Sequence, residues 1–167
     1  MKRGLVIRPF EAEDADDVRS VVEAAFGGTD EVRLVDALRA NGDDVLELVA
    51  IHEQELYGHI LFSRLRVESR NRGADAVALA PLAVRPDKHG TSVGTALVES
   101  AHNLLKHADE RLSVVLGDPA YYGRFGYTHA RAAGFDCQWQ GEALQALSWG
   151  EAPDSGRLVY ADAFSAL

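Results

Sequence analysis

Apolar residues recur along this chain with two different periods, and the change of period marks out its elements. Ala15, Val18, Val22, Ala25 and Phe26 fall three and four apart, which predicts a helix closed by Gly27-Gly28. Val32, Val35 and Leu38 predict a second helix, with Thr29 as its cap, Asp30 and Glu31 against its N-terminal dipole, and an end near Asn41-Gly42. Val93, Leu97, Ala101, Leu104, Leu105 and Ala108 predict a third and longer one. Leu5-Val6-Ile7, Leu46–His52, Leu56–Val67, Val77–Val84 and Leu112–Leu116 read as strands. The polar link Glu53-Gln54-Glu55 makes the second and third of these a hairpin, and Asn71-Arg72-Gly73 reads as a turn. Pro81 and Pro86 exclude helix from the run around them. Pro119–Phe125 is a short helix, and short strands alternate with turns from there to Val159-Tyr160.

This order, two strands and then strand–helix–strand around one sheet, predicts an α/β domain with a mixed sheet flanked by helices. The 167 residues contain no repeat and no linker, so residues 1–167 are expected to form a single domain. Hydrophobic residues make up 47% of the chain and charged residues 26%, an ordinary globular balance. No apolar run reaches the ~18 residues of a membrane span, and Met-Lys-Arg-Gly-Leu-Val-Ile-Arg returns to charge too soon for a signal-peptide core. Cys137 is the only cysteine, which excludes an internal disulfide and suits a reducing compartment, so a cytoplasmic protein is expected.

A net charge of −9 argues against nucleic acid as a partner, because that binding depends on Lys and Arg neutralising phosphates. Residues 1–60 hold 14 acidic and 6 basic side chains, so nearly all of the excess lies there. Solvated helix faces account for it, and a pull on a cationic acceptor such as an amine would account for it too. The six histidines show no H-E-x-x-H spacing and no pairing with cysteine, so no metal is expected.

Against that acidic background, the run Leu82-Ala83-Val84-Arg85-Pro86-Asp87-Lys88-His89-Gly90-Thr91-Ser92-Val93-Gly94-Thr95 stands out. It is a strand, a turn with two glycines and the start of a long helix, an arrangement that aims unpaired backbone N–H groups and a positive dipole end at one point. Small residues let a phosphate approach, while Arg85, Lys88 and protonated His89 add positive charge. A P-loop would need Lys where Thr95 stands, and G-x-G-x-x-G is absent. Gly90-Thr91-Ser92-Val93-Gly94 does match the G-x-S-x-G elbow of serine hydrolases, with Asp118 and His129 in the required order. Pro86 and a polar stretch, however, separate Ser92 from its strand, which an elbow does not allow.

Leu82 to Thr95 followed by a long helix resembles motif A of the GNAT superfamily of N-acetyltransferases. Val115-Leu116-Gly117-Asp118-Pro119-Ala120-Tyr121-Tyr122-Gly123-Arg124-Phe125-Gly126-Tyr127 resembles its motif B, in the wording of the YhbS-like branch of predicted acetyltransferases. Ala24 to Gly28, Leu34 to Arg39 and Val159 to Phe164 are similar to that branch as well, so the resemblance covers nearly the whole chain. It implies the GNAT fold, with two central parallel strands splaying apart near Val84 and Leu116. It further implies acetyl-CoA (or CoA) as co-substrate and no metal. The main chain of Leu82, Ala83 and Val84 would bind the pantetheine arm, and His89, Gly90, Thr91, Ser92, Val93, Gly94 and Thr95 would cradle the pyrophosphate. Two residues depart from the family's pattern, His89 in place of Gln or Arg and Ser92 in place of a glycine. A positive φ at Ser92 would cost about 1 kcal/mol and is expected to weaken binding about fivefold.

Acetyl transfer needs a neutral amine, a polarised thioester and a proton for the leaving sulfur. Tyr122 holds the matching place in the Tyr-x-x-x-Gly-aromatic pattern and is the general-acid candidate, with Tyr121 beside it. The strand Val77–Val84 has no carboxylate; Glu31, or a water relayed by backbone carbonyls, could face the acceptor cleft as base, although capping its helix explains Glu31 equally. Cys137 reads as a packed thiol in an alternating strand, and Trp139 and Trp149 as core or subunit-interface residues or as the lining of an acceptor pocket. The acceptor is an amine of a small molecule or a protein, a non-catalytic CoA-binding protein of the same fold is the other reading, and a homo-oligomer stays open.

Overall fold

In the computed structural model, which describes residues 4–70 and 72–167, the two periods become one sheet with helices on both faces. The chain order is β1 (Val6–Pro9), α1 (Ala15–Phe26), α2 (Asp30–Ala40), β2 (Asp44–His52), β3 (Glu55–Ser69), β4 (Arg72–Val84) and α3 (Val93–His107). It continues with β5 (Leu112–Leu116), α4 (Pro119–Tyr122), α5 (His129–Ala132), β6 (Phe135–Asp136), β7 (Leu144–Ser148) and β8 (Gly156–Val159). The sheet runs β1-β2-β3-β4-β5-β7, with β8 joining the far end of β3 and pairing with β6. Along the main path all neighbours are antiparallel except β4 and β5.

Alternation within the strands explains why both faces are covered. Leu48, Ala50, Ile60 and Phe62 join the cluster beneath α3, where Val93, Leu97, Val98, Ala101 and Leu105 meet them. Their sequence neighbours Val49 and Leu61 face the other way, Val49 against α1 and Val32, Leu61 against α2. These six strand residues have 0% exposure. On the α2 side, Glu47 is gripped by Arg39 (Nη2 to Oε2, 2.8 Å) and by His59 (Nε2 to Oε2, 2.6 Å). Burial pushes the Glu47 carboxyl up, and those hydrogen bonds outweigh it, so the group sits below the ordinary glutamate value.

Several local expectations change. The β2–β3 hairpin turns on two residues, Glu53 (φ 49°) and Gln54 (φ 68°), because Glu55 already pairs with His52. Arg72 and Gly73 extend β4 opposite Ser69 and Glu68 instead of forming the expected turn, whose Asn71 lies outside the described residues. The side chain of Thr29 does not cap α2; its Oγ1 accepts from Arg33 at 2.8 Å. Leu104 is 48% exposed, on the outer face of α3. Cys137 lies past the two-residue strand β6, not within an alternating strand.

One irregularity shapes the centre. Strands β4 and β5 pair only from Val77 to Leu79, opposite Ser113 to Val115. Beyond Leu79 the register slips: Phe62 faces Leu79 and Ile60 faces Leu82, so Ala80 and Pro81 together oppose Leu61. Pro81 has no N–H to offer a ladder, and from this point β4 and β5 part, β5 staying with β7 to Leu116.

Candidate active site

The parting strands leave main-chain groups of β4 without a strand partner. The Arg85 amide donates to Tyr57 O at 2.8 Å. In an antiparallel ladder the residue two positions back shares that orientation, so Ala83 is also turned to β3, opposite His59, while Leu82 presents its N–H and C=O groups, and Val84 its N–H, to the gap. The structure therefore divides the expected trio. Leu82 and Val84 line the gap; Ala83 is committed to β3, and its side chain is buried with α1.

From Val84 the chain enters a short 3-10 turn, Pro86–Lys88. Thr91 Oγ1 donates to Lys88 O, and His89 Nε2 lies 2.9 Å from Val84 O, so side chains tie the turn back to its own strand. Gly90 (φ 78°) and Ser92 (φ 69°) both take left-handed backbone, and Ser92 leads into α3. The first hydrogen bond of the helix runs from the Ala96 amide to Ser92 O at 3.0 Å. The amides of Val93, Gly94 and Thr95 thus have no partner within α3 and form a donor cluster at its positive end.

These groups border a cleft of about 590 Å³, which also takes in Lys88 and Arg124. Arg85, expected to add charge here, does not line it, because its Nη2 pairs with Asp87 Oδ2 at 2.8 Å. Arg124 was missed in the sequence. Its guanidinium stacks 4.7 Å from the Tyr121 ring centre and reaches Thr95 Oγ1 at 3.4 Å. The signal for it was its place three residues after a cleft tyrosine, one short helical turn on. The turn suits a diphosphate: bare amides, two cations, and no side chain at Gly90, where an added Cβ would meet nothing within 4 Å. The positive φ considered for Ser92 is present in the folded chain itself, so its strain bears on stability.

Opposite the turn, Asp118 caps α4 by accepting from the Ala120 amide at 3.0 Å. That cap sets both tyrosines. Tyr121 tucks its hydroxyl against Gly94. Tyr122 packs its ring on Gly117, where a Cβ would come within 2.6 Å of Cε2. Tyr122 borders this cleft and a second one, together with Phe26, Leu82 and Asp118. Its hydroxyl makes no hydrogen bond to the described residues. Burial, with a smaller contribution from Tyr121, pushes its pKa above the ordinary tyrosine value, so it stays protonated at neutral pH.

The second cleft, about 430 Å³, has Glu31, Trp139, Tyr160 and Phe164 in its walls. Glu31 does face it, as one of its two expected roles required, whereas Trp149 does not, because it packs 5.1 Å from the His102 ring in the core. The hydrolase alternative finds no geometry. Ser92 begins a helix after a loop, His129 Nδ1 is engaged with Leu144 O at 3.0 Å, and Asp118 is the α4 cap. Among the described residues no group of three or more His, Cys, Asp or Glu side chains is placed to hold a metal ion.

Known proteins share this fold. The family profile described as an acetyltransferase (GNAT) domain matches residues 6–130. The N-acetyltransferase YhbS of Escherichia coli K12 is 32% identical over 129 residues, covering 77% of this chain and 76% of that protein. The crystal structure of Escherichia coli YhbS in complex with CoA superposes with a TM-score of 0.89 at 28% identity, over 99% of this chain and 94% of that one. A GNAT family acetyltransferase from Brucella melitensis, in complex with acetyl-CoA, gives 0.81 at 32% identity, over 98% and 99%.

Proposed function

This chain belongs to the GNAT acetyltransferase family, and from that premise we propose that residues 1–167 act as one domain that moves the acetyl group of acetyl-CoA onto a primary amine. The observation that carries the reading is the position of the Tyr122 hydroxyl. Burial keeps that hydroxyl protonated at neutral pH, it has no hydrogen-bond partner among the described residues, and Tyr122 borders both the cleft of the donor turn and the second cleft, whose walls carry Glu31 and Asp118.

Acetyl-CoA supplies an activated thioester. Around it, the amides of Gly90 and of Ser92 to Thr95, which border the cleft as Thr91 does not, hold the diphosphate together with Lys88 and Arg124. The main-chain groups of Leu82 and Val84 that face the gap hold the pantetheine arm and polarise the thioester carbonyl. His89 steadies the turn through Val84 O. As the amine nitrogen bonds to the carbonyl carbon and the carbon–sulfur bond breaks, charge builds on sulfur. A CoA thiol titrates near ~8.5, so the sulfur needs only a weak donor. Tyr122 gives it a hydrogen bond and relays a proton to it. The ammonium of the acceptor gives up two protons in all; one ends on sulfur and one reaches solvent. Glu31 supplies a first stop for the proton lost before attack.

The test is a calorimetric titration with acetyl-CoA followed by release of CoA thiol across a panel of amines. Tight binding with turnover of at least one amine is the expected result. Binding with no turnover of any amine would replace the reading by a non-catalytic CoA-binding protein of the same fold.

A further inference from the structure

The second cleft carries more apolar surface than a solvated groove ordinarily keeps. Five large hydrophobic side chains are exposed among the described residues, and three of them, Phe26 (45%), Leu116 (48%) and Leu167 (59%), line this one cleft. Concentrated exposure of this kind marks a surface that a ligand covers. An aromatic corner stands beside them: the rings of Trp139 and Tyr160 meet edge to face at 4.9 Å, and Phe164 lies 5.2 Å from Tyr160. Burial pushes the Tyr160 hydroxyl well above its ordinary pKa, so it adds no charge.

Against this lining stand two carboxylates, Asp118, whose Oδ1 already accepts from the Ala120 amide, and Glu31. Glu31 lies in the first turn of α2, facing the cleft, and makes no hydrogen bond or ion pair among the described residues, whereas its neighbour Asp30 lies 3.7 Å from Arg33. A carboxylate without a cation beside an apolar pocket is complementary to an ammonium on an apolar body. The direction of the ligand follows from the chemistry. The reacting nitrogen must reach the junction at Tyr122 and Leu82, so the aromatic corner receives the rest of the molecule.

We infer that the acceptor is a small primary amine on an apolar, ring-bearing body, the body seated against Trp139, Tyr160 and Phe164 and the ammonium held by Glu31. This inference rests on the transferase reading of the same site. A cleft of about 430 Å³ holds a body of one or two rings. An amino sugar would lose water from its hydroxyls against the aromatic corner, and a polyamine would find for its further ammonium groups only Asp118, which is already engaged as the α4 cap. An extended peptide would leave most of its length outside the aromatic corner.

The probe is phenethylamine, compared with spermidine, glucosamine and an alanine-initiated hexapeptide. Two readouts are used: thiol release on acetylation, and calorimetric binding of phenethylamine to the CoA-loaded protein. Phenethylamine is expected to exceed each comparator at least tenfold in kcat/KM. Trp139→Leu is expected to weaken phenethylamine binding at least fivefold while CoA affinity stays within twofold of wild type, which reports an intact fold. Glu31→Gln should weaken phenethylamine at least fivefold and leave the neutral analogue 2-phenylethanol unaffected. Equal or better use of spermidine, glucosamine or the peptide overturns the inference, as does phenethylamine binding that is absent or indifferent to both substitutions. If no amine is acetylated, the transferase reading fails by itself, and the binding arm still decides whether this cleft takes an apolar amine.

Discussion

The hydroxyl of Tyr121 fills the space that a side chain at Gly94 would need. Gly94 is buried in the first turn of α3, and its amide belongs to the donor cluster, so the tyrosine braces the element that the diphosphate would approach. Gly94→Ala must displace Tyr121, since the added Cβ would overlap its hydroxyl and would also meet Val84 Cγ2 at 3.6 Å. Overpacking of this kind costs about 1–3 kcal/mol, and we expect CoA affinity to fall roughly tenfold by calorimetry, equivalent to about 1.4 kcal/mol. The loss should be coupled to one oxygen atom. Adding Tyr121→Phe to Gly94→Ala is expected to restore most of the affinity, and simple additivity of the two changes would show that the contact is incidental.

The neighbouring tyrosine is expected to behave differently. Tyr122→Phe removes the hydroxyl at the junction while its ring still packs on Gly117, so the clefts keep their shape. General-acid loss lowers kcat by about 10²–10⁴-fold, and CoA affinity should stay within about twofold because the donor turn is untouched. Tyr121→Phe should retain most of kcat. Since burial holds the Tyr122 pKa above the usual tyrosine value, its ionisation should leave the rate profile flat up to about pH 10. An alkaline limb below that pH which disappears in Tyr122→Phe would contradict the assignment.

What the sequence made legible was what depends on short-range pattern. The period of Val93, Leu97 and Ala101 marked α3, and Leu112–Leu116 was bounded correctly by its apolar run. The donor turn was visible because its glycines and its helix are contiguous. What stayed hidden depends on register and rotamer. The separate fates of Leu82, Ala83 and Val84 follow from a slip opposite Leu61, and no local pattern around Pro81 announces which residue faces β3. Arg85 and Arg124 are alike as charges in the sequence; the carboxylate of Asp87 holds one, and the stack on Tyr121 leaves the other at the cleft. The second cleft draws on α2, β4, β5 and the segment near Trp139, Tyr160 and Phe164, elements far apart in the chain.

Backbone conformation at the turn separates stability from binding. An L-residue in left-handed backbone costs roughly 1–2 kcal/mol. Gly90→Ala meets no atom within 4 Å, so its destabilisation should be purely conformational, about 1 kcal/mol in a urea titration. Ser92→Gly should relieve a similar strain, but it frees the unfolded chain by about 0.4–1 kcal/mol, and the net change in stability should be small. Its CoA affinity should match wild type within about twofold, because the amide at position 92 is kept. A fivefold gain in affinity would return the cost of Ser92 to the binding step.

Stability at acid pH should be set first by His102. This side chain is 7% exposed, its Nε2 lies 2.9 Å from the Tyr127 hydroxyl, and that hydroxyl lies 2.7 Å from Ser113 Oγ. Phe62, Phe125 and Trp149 pack their rings around it. Burial, with a smaller contribution from Lys106, lowers its pKa from 6.5 to about 4. The folded protein therefore keeps His102 neutral where the unfolded chain would bind a proton. Between pH 6.5 and 4 the unfolded state holds more protons, so stability rises with pH across that window; it is fully present above about 6.5 and is lost as pH falls toward 4. At about 1.4 kcal/mol per pKa unit the contribution is on the order of 3 kcal/mol. Asp14 and Glu47, whose pKa values are lowered from 3.8 and 4.5, lose their contributions at more acid pH, so the two effects are separable. Urea titrations at pH 7.5 and 4.5 should differ by about 2–3 kcal/mol from this residue, and His102→Gln, which cannot titrate, should remove most of that difference. A pH slope unchanged in the variant would show that another group carries the acid sensitivity.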